Sequence, residues 1–170
     1  ANSKTYSGSR LRPHKQFLTV MGERLSWRSA CEVGAGKGRQ WEWIDPSDGM
    51  TMEQAWGFPV VKHDPCWPPF AQEPEGKFDL VICAHTISLI PAEDLEWFTH
   101  RLYGFCAKVI FIAEKIGDRK KREVSDPYGR AIGWSADQWI NWFRRFGAKY
   151  PSVRTVLSVR EILPRGRITT

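Results

Sequence analysis

The sequence predicts an α/β domain with a mostly parallel central sheet and helices on both faces, and three observations lead there. Short runs apolar almost throughout, FDLVICA at 78–84 and KVIFIA at 108–113, have the look of strands buried on both sides. Segments of helical period separate those runs. A glycine cluster follows the first apolar run at once, the usual junction of a buried strand with a tight turn.

The elements follow in chain order. Residues 13–25 open after a proline and carry Phe17, Leu18, Met21 and Leu25 at helical spacing. Residues 29–33 (SACEV) are read as the first strand. Residues 40–56 are ambiguous, broken by the turn signal Asp45-Pro46-Ser47-Asp48-Gly49. A second strand is expected over 58–62, closed by His63-Asp64-Pro65, and the proline-rich 65–76 is expected to lack regular structure. After the strand at 78–84, Pro91 starts a helix to about 105, with Glu93, Asp94 and Glu96 near its positive end. The strand at 108–113 and a charged loop at 118–130 come next. Residues 135–146 read as a helix capped by Ser135 and closed by Gly147, and 153–163 supply one or two last strands.

A chain of 170 residues, 42 % hydrophobic and 26 % charged, with nine Trp and nine Phe, is expected to form one globular domain spanning 1–170 with a substantial core. No run reaches the roughly 18 apolar residues of a membrane span, and Ala1-Asn2-Ser3-Lys4-Thr5 lacks the apolar stretch of a signal peptide. Cys31, Cys66, Cys83 and Cys106 form no CxxC pair, so reduced thiols, no zinc site and a cytoplasmic location are expected. The net charge of +6 favours an anionic partner such as a nucleotide, a nucleic acid or an acidic substrate, with a soluble enzyme that is simply basic as the alternative.

Ligands of parallel sheets bind at the carboxyl ends of the strands. There the sequence places Glu32, Gly34, Ala35, Gly36 and Gly38, in the order strand, carboxylate, alternating glycines. Lys37 is followed by Gly38-Arg39 and not by Ser or Thr, which disfavours a phosphate-binding loop of the NTPase kind. An acidic partner is offered by Asp45 or by Asp64. Six residues separate Gly38 from Asp45, too few for a crossover of about 10–12 residues, so Asp64 is preferred. An Asp-Pro turn is the alternative use of Asp64 and Pro65.

This arrangement resembles the first motif of the class I S-adenosylmethionine (SAM) dependent methyltransferases. Tyr6-Ser7-Gly8, GAGKGRQ at 34–40, HDP at 63–65, PEGKFDLVIC at 74–83, IPAEDL at 90–95, Gly129-Arg130 and Trp139 extend the resemblance to a compact group of that family found in bacteria and phages. The resemblance implies a Rossmann-like methyltransferase fold shortened between its second and fourth strands. It also implies SAM as cofactor and S-adenosylhomocysteine as product. Glu32 would serve the methionine part, the glycines its backbone approach, Asp64 the ribose hydroxyls, and Tyr6 and Gly8 would fold over the amino-acid end. Ala84 and His85 would face the transferred methyl.

This chain departs from the group there, with His85 where an Asp is usual and Ser88-Leu89 where a Glu-His pair is usual. His85 is a candidate base for a hydroxyl acceptor, with a ligand-lining or capping role as the alternative. Trp67 and Phe70 are candidates to wall the adenine or to pack in the core. Trp134 is the tryptophan freest to line a pocket. Arg119-Lys120-Lys121-Arg122, Asp126 to Arg130, Arg144, Arg145, Arg165 and Arg167 offer phosphate contacts or a solvated surface. The expected function is methyl transfer to a small-molecule or nucleic-acid acceptor, away from membranes. A SAM-cleaving lyase or hydrolase, and a non-catalytic SAM- or nucleic-acid-binding module, are the alternatives.

Overall fold

A computed structural model describes residues 7–8, 10–116 and 132–161. Five strands form one sheet: β1 (Ala30–Val33), β2 (Val60–His63), β3 (Phe78–Ala84), β4 (Cys106–Ile116) and β5 (Arg154–Glu161). Their order is β2-β1-β3-β4-β5 and every pairing is parallel. The helices are α1 (Lys15–Leu25), α2 (Arg39–Glu42), α3 (Met52–Trp56), α4 (Leu95–Gly104) and α5 (Ala136–Lys149).

The period-two alternation of buried strands divides the interior into two cores. Leu80, Ile82 and Ala84 of β3, with Val109 and Phe111 of β4, face one layer; there they meet Leu18 of α1, Trp41 of α2 and Met52 of α3. Val81 and Cys83 of β3, with Ile110 and Ile112 of β4, face the other; there they meet Leu95, Phe98 and Leu102 of α4 and Trp139, Phe143 and Phe146 of α5. The sheet is therefore covered by helices on both faces, a Rossmann-like α/β arrangement.

Several boundaries differ from the sequence reading. The ambiguous 40–56 resolves into two short helices around the Asp45–Gly49 turn. Buried Lys15 holds that turn, its Nζ 2.6 Å from Asp48 Oδ2 and 3.3 Å from Asp45 Oδ2. Within 65–76 the adjacent prolines allow one 3-10 turn, Pro68–Phe70, because neither needs to donate an N–H there. α4 begins at Leu95 and not at Pro91; the preceding residues make only tight turns, Asp94 N–H to the Pro91 carbonyl and Leu95 N–H to that of Ala92. β4 runs beyond the apolar segment through Ile116, since β5 pairs with it along that length. α5 does not stop at Gly147. It ends at Lys149, where Pro151 restricts the backbone of Tyr150. Residues from 153 onward give one described strand, β5.

Candidate functional site

From β1 the chain crosses to β2 on one side, whereas β3, β4 and β5 extend on the other. The loops after β1 and β3 therefore diverge, and this reversal point at the carboxyl edge is where open parallel sheets bind ligands. Gly34, Ala35, Gly36 and Gly38 form the loop after β1, with φ of +81°, +56° and +66° at the three glycines. These left-handed turns are open to glycine at little cost. Gly34 N–H and Ala35 N–H both donate to the His63 carbonyl at the end of β2 (2.8 and 3.2 Å), and Gly38 N–H donates to the Ala35 carbonyl. A Cβ on Gly34 would lie 2.6 Å from that of Thr86, so the β3 loop packs directly on this glycine.

Ser7 and Gly8 lie on the same loop. Their carbonyls accept from Arg39 N–H (3.2 Å) and Gln40 N–H (2.7 Å), two donors at the start of α2 that have no partner within the helix. A Cβ on Gly8 would collide with the Ala35 carbonyl and lie 2.7 Å from Gly38 N. Tyr6 lies outside the described residues.

Glu32 is buried beneath the loop. Its Oε1 accepts from Gln40 Nε2 and its Oε2 from Trp41 Nε1 (2.6 Å), while Gln40 Oε1 accepts from Leu11 N–H (2.9 Å). Burial pushes the Glu32 carboxyl up to about 7, outweighing the two donors, and the charge of Asp64 adds to the rise. The carboxylate thus ties β1 to α2 and to the segment before α1. Each of its oxygens accepts one hydrogen bond from α2, and the side chain is buried.

Asp64 follows β2 directly and is half-buried. Its Oδ2 accepts from Gly36 N–H at 2.7 Å and its Oδ1 from Cys66 N–H at 2.9 Å, the latter turning the chain across exposed Pro65. Each oxygen has a further lone pair for a hydroxyl donor. Asp45, by contrast, accepts from the N–H and the hydroxyl of Ser47, which hold its carboxyl below the usual range with a smaller part from Lys15. Phe70 packs against Gly38, where an added Cβ would sit 2.7 Å from its ring. Lys37 Nζ lies 5.6 Å from the centre of the Trp67 ring.

β3 ends at buried Ala84. The next residue, His85, has φ +59°, uncommon for a residue with a side chain. Its N–H donates to the Ala113 carbonyl at 2.8 Å, continuing the ladder past the strand end. Thr86 Oγ1 then donates to the Gly34 carbonyl at 3.2 Å. The bend brings His85 Nδ1 to 3.8 Å from Oε1 of Glu114, a residue of β4 that is itself buried. Glu114 did not emerge from the sequence because it lies just past an apolar run, where a charged residue reads as the start of a loop. The signal available was its position at the carboxyl end of a central strand.

Other candidates fall elsewhere. Trp134 is partly buried and packs on Trp139 and Trp142, with ring centres 4.7 and 5.2 Å apart. Arg144 and Arg145 are exposed on α5, Arg145 lying over the Trp142 ring at 4.5 Å. Arg119 to Arg122, Asp126 to Arg130, Arg165 and Arg167 lie outside the described residues. All four cysteines are free thiols, with Cys66 exposed and the others buried. Burial raises the Cys31 thiol to about 12 and that of Cys106 to about 11. Among the described residues no group of three or more His, Cys, Asp or Glu is placed to hold a metal, and no helix is long and apolar enough to cross a membrane.

Comparison of the chain with family models, with curated proteins and with solved structures gave no match in any of the three.

Proposed function

We propose that this chain is a SAM-dependent methyltransferase of the compact class I kind, with its cofactor at the carboxyl ends of β1 and β2 and its acceptor near the end of β3. The observation that carries the reading is the direct link from Gly36 N–H to Asp64 Oδ2. It joins a left-handed glycine loop, which starts at the reversal point of a parallel sheet, to a carboxylate just past the end of the neighbouring strand β2. The glycines of the loop suit close approach of a ligand backbone at Gly36, and the remaining lone pairs of Asp64 suit a pair of ribose hydroxyls. The passage from β2 to β3 through residues 64–77, with one 3-10 turn, supports the shortened form of the fold.

What supports SAM is the glycine loop with Asp64 beside it, whereas Glu32 is buried beneath that loop. Glu32 in this reading shapes the loop from below and makes no contact with the ligand. SAM when bound supplies a methyl group on a positively charged sulfur, open to in-line displacement. The chain's part is to orient and to exclude water, and placing two reactants in line is worth about 7–11 kcal/mol at best. Ala84 and His85 border the acceptor side in this reading.

Calorimetric titration with SAM and with S-adenosylhomocysteine tests it. Both are expected to bind, and Asp64→Ala is expected to weaken binding by about 1–3 kcal/mol, the usual loss for hydrogen bonds to a charged group. Absence of binding by either compound would overturn the reading. Affinity unchanged in Asp64→Ala would remove the ribose role. Mass analysis of SAM incubated with the protein alone separates transfer from cleavage, since cleavage needs no acceptor.

A further inference from the structure

We infer that Glu114 is a positioning residue that holds the His85 imidazole with its Nδ1 proton toward β4, leaving Nε2 to take the proton of the methyl acceptor. The inference rests on the methyl-transfer reading of the site for its chemistry, and on this chain's own geometry for the pairing.

Three observations converge on the pair. Ala84 and Ala113 are register partners, so His85 and Glu114 are the next residues on two adjacent central strands. Both lie at the carboxyl edge beside Thr86, which bonds to the glycine loop. The His85 backbone is then held at φ +59°, a conformation that costs energy for a side-chain-bearing residue and persists where the surroundings fix it. Here the surroundings are the bond from His85 N–H to the Ala113 carbonyl and the packing of Thr86 on Gly34. Finally, the imidazole is 17 % exposed whereas the Glu114 side chain is 2 % exposed. The ring presents Nδ1 to Glu114 Oε1 at 3.8 Å, and catalytic hydrogen bonds are often long before substrate binds.

The tautomer follows from the pairing. A neutral imidazole that donates from Nδ1 carries its lone pair on Nε2, on the far side of the ring from β4. In the transfer step the acceptor oxygen forms a bond to the methyl carbon while the carbon–sulfur bond breaks and its electron pair stays on sulfur. The acceptor's proton passes to Nε2, and Glu114 faces the imidazolium so formed. The proton then leaves to water. The acceptor class that uses this pair is a hydroxyl compound, because an amine with a free lone pair requires no such base before attack.

Nitrogen-15 NMR of the imidazole-labelled protein tests the pairing without any substrate. The chain has four histidines, and His85→Asn, which tolerates the left-handed backbone, identifies the His85 signals. The expected wild-type result is an Nδ1–H ring with an unprotonated Nε2, or an imidazolium that releases its Nε2 proton first. Glu114→Met is expected to lose that preference, and Glu114→Gln to retain it, because the amide oxygen accepts the same bond. A wild-type ring protonated at Nε2 and bare at Nδ1 would overturn the inference, as would a preference untouched by Glu114→Met. If Glu114→Met fails to fold, the wild-type spectrum alone decides. SAM titration is separate: a protein that binds no SAM yet shows the Nδ1–H ring loses the methyl-transfer reading and keeps the dyad.

Discussion

At Gly34 the chain takes φ +81° and the space a side chain would fill is held by Thr86, so two independent constraints meet on one residue. Gly34→Ala adds the cost of a left-handed alanine, about 1–2 kcal/mol, to an overlap that only a shift of the β3 loop relieves. A loss of at least about 2 kcal/mol in urea denaturation is expected; a change below about 0.5 kcal/mol would mean that the β1 and β3 loops do not pack as described. The sequence reading took the glycines as room for a ligand. The structure gives Gly34 and Gly8 a prior use, since their missing side chains let the β3 loop and residues 7–8 close on the loop after β1. Glu32 teaches the same lesson. Its position at the strand was legible, but its partners Gln40 and Trp41 became visible only once α2 was folded over it.

Side-chain caps fix where α3 and α5 begin. Ser135 Oγ accepts from Gln138 N–H while Gln138 Oε1 accepts from Ser135 N–H, a reciprocal pair readable from the spacing S-x-x-Q. Ser135→Ala is expected to cost about 1 kcal/mol, measured as a lower urea midpoint with an unchanged slope. An unaltered midpoint would show that α5 is held by its aromatic face alone. That face, with Trp139, Phe143 and Phe146 at helical spacing, was legible for the reason that large buried side chains leave a clear period. The end of α5 was not, because Gly147 offers a stop signal that Pro151 overrides. β4 was cut short for a related reason: Glu114 and Lys115 interrupt the apolar run, and only the parallel ladder with β5 carries the strand past them. The choice between Asp45 and Asp64 rested on chain length, and Lys15, whose ion pairs link α1 to the 45–50 turn, supplies the physical reason that Asp45 is committed elsewhere.

For the molecule as a whole, one buried carboxylate couples folding to pH. Glu32 titrates near 7 in the fold and near 4.3 in the unfolded chain, so the folded state holds its proton more tightly. Its contribution to stability is complete below about pH 4 and is lost as pH rises through 7, on the order of 3 kcal/mol across the window. Wild-type stability measured from pH 4.5 to 7.5 is expected to fall relative to Glu32→Gln, which carries no titrating group there. Parallel curves for the two proteins would assign the pH dependence elsewhere. The layers and the parallel sheet follow from short apolar runs alternating with amphipathic helices, and are readable on that ground. The pairing of His85 with Glu114 was not, since it depends on strand neighbours that are distant in sequence. The most direct test of the proposed function is a crystal structure of the protein grown with S-adenosylhomocysteine. Ribose hydroxyls on the Asp64 carboxylate and the ligand backbone against Gly34 to Gly38 are the expected result; a ligand bound away from both, or crystals that hold none at saturating concentration, would contradict it.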